Sequence, residues 1–127
     1  MELLLALNIK LFNPYEVDNT ALKIVMIPFT GFSQGKYFNG EIIGTGVDTQ
    51  KIYNNGNSHY SARYMLAGTD YTNTQCKIFI ENNGTSLDSC IPTIVTDSIA
   101  LSSWQNAALF STIEPSKDGI IVKIYKN

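Results

Sequence analysis

The chain has 127 residues, 44% of them hydrophobic and 16% charged, and nine basic against eleven acidic side chains leave a net charge of -2. A chain of this size and composition is expected to form one domain, spanning residues 1–127, with a core of its own and no long disordered region. The charge balance supplies neither a basic face for a phosphate backbone nor a cationic amphipathic stretch for an anionic bilayer, so no nucleic acid and no membrane is expected as a partner.

The opening Met1-Glu2-Leu3-Leu4-Leu5-Ala6-Leu7 is interrupted at Asn8 and Lys10. Without a positive start or a longer apolar run it reads as a first β-strand over residues 3–12, not as a secretory signal, and a cytoplasmic location is expected. Asn13-Pro14 closes that strand. Residues 22–29, rich in Ile and Val, form a second, ended by Pro28 and Gly31. Residues 36–43 form a third, which continues as 47–53 after a kink at Gly40, Gly44 and Gly46. Asn54-Asn55-Gly56 is a turn, because Asn and Gly tolerate positive φ. Residues 59–66 make a long strand, Gly68-Thr69-Asp70 the next turn, and residues 71–81 the strand after it, ended by Asn82-Asn83-Gly84. A loop over 85–91 leads to a short strand at 93–96. Residues 98–108 carry apolar side chains at helical spacing, with Asp97 or Ser98 to cap them, and are expected to form a short helix. Residues 108–114 and 120–125 close the chain as a hairpin around Pro115-Ser116-Lys117-Asp118-Gly119. The pattern predicts an all-β fold: a single antiparallel β-barrel of about eight strands, calycin-like or a closed sandwich, with at most one short helix.

Few residues offer chemistry. His59, Ser61 and Arg63 alternate with Tyr60, Ala62 and Tyr64, so in a strand each trio shares a face, with successive members about 7 Å apart. His59 and Arg63 are the chain's one histidine and one arginine. Their polar face either meets water or, in a ligand-binding barrel, points inward among apolar walls. Asp48 and Gln50 alternate on the strand before the 54–56 turn. If that turn closes a hairpin, they lie broadly across from His59 to Arg63, which puts an Asp48–Arg63 ion pair within reach. On a surface such a pair contributes about 0–1 kcal/mol. Inside a barrel, Arg63 would hold a carboxylate, enolate or phenolate with its forked donors, and Asp48 or His59 would carry the proton.

Other motifs are absent or bland. Gly40, Gly44 and Gly46 are followed by no Gly-Lys-Ser/Thr and open no helix, so they read as a bend, not a phosphate loop. No Gly-x-Ser-x-Gly elbow appears. Glu81 reads as an exposed turn carboxylate. Cys76 and Cys90 are expected to be reduced, half-buried thiols, though a bridge between them stays open. With one histidine and no Cys-x-x-Cys, no metal site is expected, and no cofactor. Asn83-Gly84-Thr85 matches a glycosylation acceptor by chance.

The run Gly40-Glu41-Ile42-Ile43-Gly44-Thr45-Gly46-Val47-Asp48-Thr49-Gln50, then His59-Tyr60-Ser61-Ala62-Arg63-Tyr64 with Gly68-Thr69-Asp70, then Ile78-Phe79-Ile80-Glu81-Asn82-Asn83-Gly84, resembles a family of uncharacterised bacterial and fungal proteins, domain of unknown function 3237 (uncharacterised protein family 0311). The resemblance covers nearly the whole chain. It departs at Thr45, where many relatives carry glycine, and at Thr49, where an aromatic is frequent. It implies a compact antiparallel barrel, often a homo-oligomer, with no settled activity. It also implies that Asp48, Gln50, Arg63, Tyr64 and Asn82 occupy recurrent polar positions.

Three functions follow as expectations. The first is a barrel whose cavity takes a small, partly apolar organic molecule through Asp48, Gln50, His59, Arg63, Tyr64 and Asn82. The second is a cofactor-free isomerase, cyclase or lyase in which Asp48 or His59 works beside Arg63, an idea that fails if Asp48 and Arg63 project to opposite faces. The third is a structural or interaction protein with an apolar patch on its outer wall.

Overall fold

Period-2 runs rich in Leu, Ile, Val and aromatics turn alternate side chains to a common face, and here they assemble one antiparallel sheet. The computed structural model describes residues 1–127 and contains ten strands: β1 (Glu2–Leu11), β2 (Tyr15–Asp18), β3 (Leu22–Ser33), β4 (Phe38–Ile42), β5 (Gly46–Tyr53), β6 (Ser58–Asp70), β7 (Gln75–Gly84), β8 (Ile91–Thr96), β9 (Leu109–Pro115) and β10 (Gly119–Lys126). β1 and β2 share one flank of β3, and β4 and β5 share the place between β3 and β6. The path is therefore eight positions long, from β8 through β7, β6, β4 with β5, β3, β1 with β2, and β10 to β9. The sheet curls until β8 and β9 lie against each other. No ladder joins these two, so a seam runs between them.

Gly44, at φ +61°, makes the corner between β4 and β5. The inward faces bury Leu7, Leu66, Ile78, Ile80 and Ile124 completely. Each contributes about 1.5–3 kcal/mol relative to an exposed side chain.

Several elements differ from expectation. β3 runs through Pro28 to Ser33. Pro28 is tolerated there because its carbonyl accepts from Phe12 N–H at 2.9 Å, where β1 has ended and β2 has not begun. Its missing N–H would face the same gap. Gly68, Thr69 and Asp70 belong to β6 and not to a turn. Gly68 is glycine because a Cβ there would lie 2.0 Å from the Asn39 carbonyl oxygen. The turn follows instead, with Asn73 at φ 65°. Asp70 organises it by accepting from the Thr72 and Thr74 N–H groups. The helix expected over 98–108 reduces to a 3-10 turn, Ser102–Asn106. Leu101 and Trp104 are buried but Ile99 is 92% exposed, so the apolar stripe lasts only one turn. No helix is long and apolar enough to cross a membrane.

Candidate functional site

The β5–β6 hairpin decides what faces inward. Its loop holds three residues, Asn54 to Gly56, because Tyr53 N–H donates to the Asn57 carbonyl at 2.9 Å and Gly56 N–H to the Tyr53 carbonyl at 3.1 Å. Gly56 sits at φ +91°, the left-handed position that closes a three-residue hairpin. Asp48 therefore pairs with Ala62, Gln50 with Tyr60, and Val47 with Arg63. Directly paired residues share a face, so Asp48, Gln50, Tyr60, Ala62 and Tyr64 turn inward while Thr49, Lys51, His59, Ser61 and Arg63 turn outward.

The expected inward Arg63 is thus corrected. Its side chain is 62% exposed, and its Nε donates to the Glu81 carboxylate at 2.6 Å, directly across β6–β7. Asp48 and Arg63 project to opposite faces, and no ion pair joins them. His59 is likewise external, opposite Lys51, so neither it nor Arg63 belongs to the interior site. The reason is parity: in a strand, neighbours in sequence point apart, and a shift of one residue exchanges the faces.

The inward face opens on a cavity of about 80 Å³. Its floor is the Phe29–Tyr64 pair, rings edge to face at 5.3 Å. Gly46 makes this packing possible, since a Cβ there would stand 2.6 Å from the Phe29 ring and 2.7 Å from Tyr64 Cβ. Apolar side chains of β1, β9 and β10 form the opposite wall, and the 85–90 loop supplies Leu87 and Cys90.

Two acceptors interrupt these apolar walls. Asp48 lines the cavity, and Gln50 Nε2 donates to its Oδ2 at 3.0 Å. Withdrawal from water raises the Asp48 carboxyl pKa, and the Gln50 bond only partly offsets that. Asn82, 8% exposed, donates Nδ2 to Ser111 Oγ of β9 at 3.0 Å. Its Oδ1 is buried with no hydrogen-bond partner. Buried polar atoms are rarely left unpaired; Ser33 Oγ and Ser61 Oγ share this state, but of the three residues only Asn82 lines the cavity. Burial also raises the Tyr64 phenol, and burial followed by the Asp48 charge raises the Cys90 thiol, so both stay protonated near neutrality. No Lys, Arg or His lines the cavity.

Of the six side chains singled out in the sequence, Asp48, Tyr64 and Asn82 meet at the cavity and Gln50 braces Asp48. Cys90, Leu87, Ser111 and Ile113 had no sequence signal, since they come from a loop and a terminal hairpin that meet the others only in three dimensions. Cys76 and Cys90 are both free thiols. Nowhere do three His, Cys, Asp or Glu side chains gather as a metal set would.

Residues 1–97 match the model of a family described as a protein of unknown function, DUF3237. No curated protein sequence matches the chain. Among solved structures, a protein with unknown function from Clostridium acetobutylicum ATCC 824 is similar at TM-score 0.78 and 23% identity, over 99% of this chain and 94% of that one. An enzyme from Penicillium herquei is similar at TM-score 0.76 and 16% identity, over 99% and 92%. A β-barrel-like protein from Acinetobacter baumannii AYE is similar at TM-score 0.76 and 19% identity, over 98% and 93%. At these identities the likeness is one of fold.

Proposed function

The chain belongs to the DUF3237 family, and from its cavity we propose that it binds a small, partly apolar organic molecule carrying a hydrogen-bond donor, such as a hydroxyl. The observation that carries this reading is an apolar cavity lined by Asp48 and by Asn82, a residue whose buried Oδ1 has no partner. A ligand hydroxyl reaching Asn82 Oδ1 would satisfy it, and apolar carbons would cover Phe29 and Ile113. With no cation in the cavity, a carboxylate or phenolate would find no counter-charge there and would share the space with the Asp48 carboxyl. This is the opposite preference from the one an inward Arg63 would have set.

The test is a titration of isotope-labelled protein with 1-butanol, cyclopentanol and sodium butyrate, followed by two-dimensional NMR. The alcohols are expected to shift the Asn82 side-chain amide and the backbone amides of β5, β6 and β7 saturably, while butyrate does not. Shifts scattered over the surface without saturation would overturn the reading.

The acid–base reading expected from the sequence, with Asp48 or His59 beside Arg63, fails because Asp48 and Arg63 face opposite sides of the sheet; a different version rests on one observation, that a carboxyl, Asp48, shares the cavity with a phenol, Tyr64. Arg63 has no part in it. Asp48 would move the proton and Tyr64 would donate to the developing oxyanion. Loss of turnover with retained binding in Asp48→Asn would support this version, and equal losses of both would count against it.

A further inference from the structure

We propose that the cavity admits only the hydroxylated head of a longer ligand, whose chain leaves through the seam between the 85–90 loop and β9 and ends in a basic amine beside Asp88. This rests on the pocket reading above and names the ligand class as narrow ω-amino alcohols.

Size carries the first step. The cavity holds about 80 Å³. That is near half of the roughly 150 Å³ with which an engineered apolar cavity takes benzene, and well below the roughly 300–1,000 Å³ of ordinary ligand pockets. A molecule of ordinary metabolite size cannot be enclosed, so most of it must lie outside.

A groove adjoins the cavity. It holds about 460 Å³, is lined by Leu87, Asp88, Ser111, Thr112 and Ile113, and lies between the 85–90 loop and β9. Leu87 and Ile113 line both the groove and the cavity. Ser111, in the groove, is the hydroxyl that accepts from Asn82 in the cavity wall. No backbone hydrogen bond joins the 85–90 loop to β9, so a chain can lie between them without breaking one. The passage is apolar at Leu87 and Ile113 and polar beyond, a profile suited to a hydroxyl head, a methylene spacer and a polar tail.

Charge selects the tail. Neither Asp48 nor Asp88 belongs to any of the four salt bridges. No Lys, Arg or His lines cavity or groove. An ammonium group would find an unpaired carboxylate at the outer end, and a carboxylate tail would be repelled.

The experiment compares dissociation constants of the full chain for three series: 1-alkanols from propanol to octanol, ω-amino-1-alkanols, and ω-hydroxy carboxylates. The alkanols are expected to tighten by about twofold to threefold per methylene once the chain passes Leu87 and Ile113. At the best length the amino alcohol is expected to bind about fivefold tighter than the alkanol at low salt, and the hydroxy carboxylate weaker than either. Asp88→Asn should bring the amino-alcohol-to-alkanol ratio to about one. An affinity flat beyond 1-butanol, or equal affinities for amine and carboxylate tails, would overturn the extended ligand while leaving the cavity reading intact. No response of the Asn82 amide to 1-butanol itself would overturn both.

Discussion

Asn82 on β7 donates its side-chain amide to the Ser111 hydroxyl on β9 at 3.0 Å, and so ties the two sides of a seam that no backbone ladder crosses. The bond is at once a wall of the cavity and a clasp between the first and last parts of the sheet. Ser111→Ala is expected to lower stability by about 0.5–1.5 kcal/mol, the ordinary worth of a side-chain hydrogen bond. Native-state hydrogen exchange should show the loss most strongly in β8 and β9. Uniform acceleration over the whole sheet would show that the seam does not open locally.

Arg63 lies outside, so its removal should leave the interior alone. Arg63→Ala breaks an exposed pair with Glu81 and is expected to cost less than about 1 kcal/mol, in a salt-dependent way. The 1-butanol affinity of this variant is expected to stay within about twofold of the parent. A tenfold loss would place the guanidinium in the binding event after all.

The floor of the cavity depends on a residue without a side chain. Gly46→Ala puts a methyl group 2.6 Å from the Phe29 ring and 2.7 Å from Tyr64 Cβ. The ring can swing but Cβ cannot. The substitution is expected to destabilise by about 1–3 kcal/mol through overpacking, read by denaturant melts. The same melts should show no such cost for Thr45→Ala, one residue earlier and exposed.

Asp48 gives a pH signature of definite sign. Its folded pKa lies above the ordinary 3.8 because burial disfavours the charged form. Between those two values the folded state holds more protons than the unfolded one, so the Asp48 contribution to stability falls as pH rises, and is level beyond the folded pKa. Asp48→Asn should therefore gain stability relative to the parent as pH is raised from 3.8 upward, and the gain should then plateau. A difference curve with the opposite slope would show that Asp48 is stabilised as an anion.

Asp70 carries the opposite sign. Hydrogen bonds from the Thr72 and Ser98 hydroxyls, then the Thr72 and Thr74 N–H groups, hold it at about 2 against an ordinary 3.8. Its contribution is complete above the ordinary value and is lost as pH falls from there to about 2. Ser98→Ala, which removes the 2.7 Å bond and frees Leu101 N–H, should flatten the acid limb of the stability curve in that window. An unchanged acid limb would mean that the Thr72 bonds alone set the carboxylate.

Much of this protein was legible in its sequence. Alternating apolar residues at Leu3–Ile9, Tyr64–Leu66 and Ile78–Ile80 announced strands with one buried face, because a side-chain period of two can serve only a sheet. The inward trio Tyr60, Ala62 and Tyr64 could be read as a set for the same reason. What alternation cannot say is which face meets which across a hairpin. A two-residue loop at Asn55-Gly56 would have set Asp48 opposite Arg63, while the three-residue loop at 54–56 sets it opposite Ala62. Both loops suit the same Asn and Gly residues, and packing chose between them, since only the second buries Tyr64 on Phe29 and leaves the guanidinium in water. The partners from farther away, Leu87, Cys90, Ser111 and Ile113, were decided by the curl of the sheet alone. Their contacts with Asp48 and Asn82 bridge long stretches of chain that no local pattern encodes.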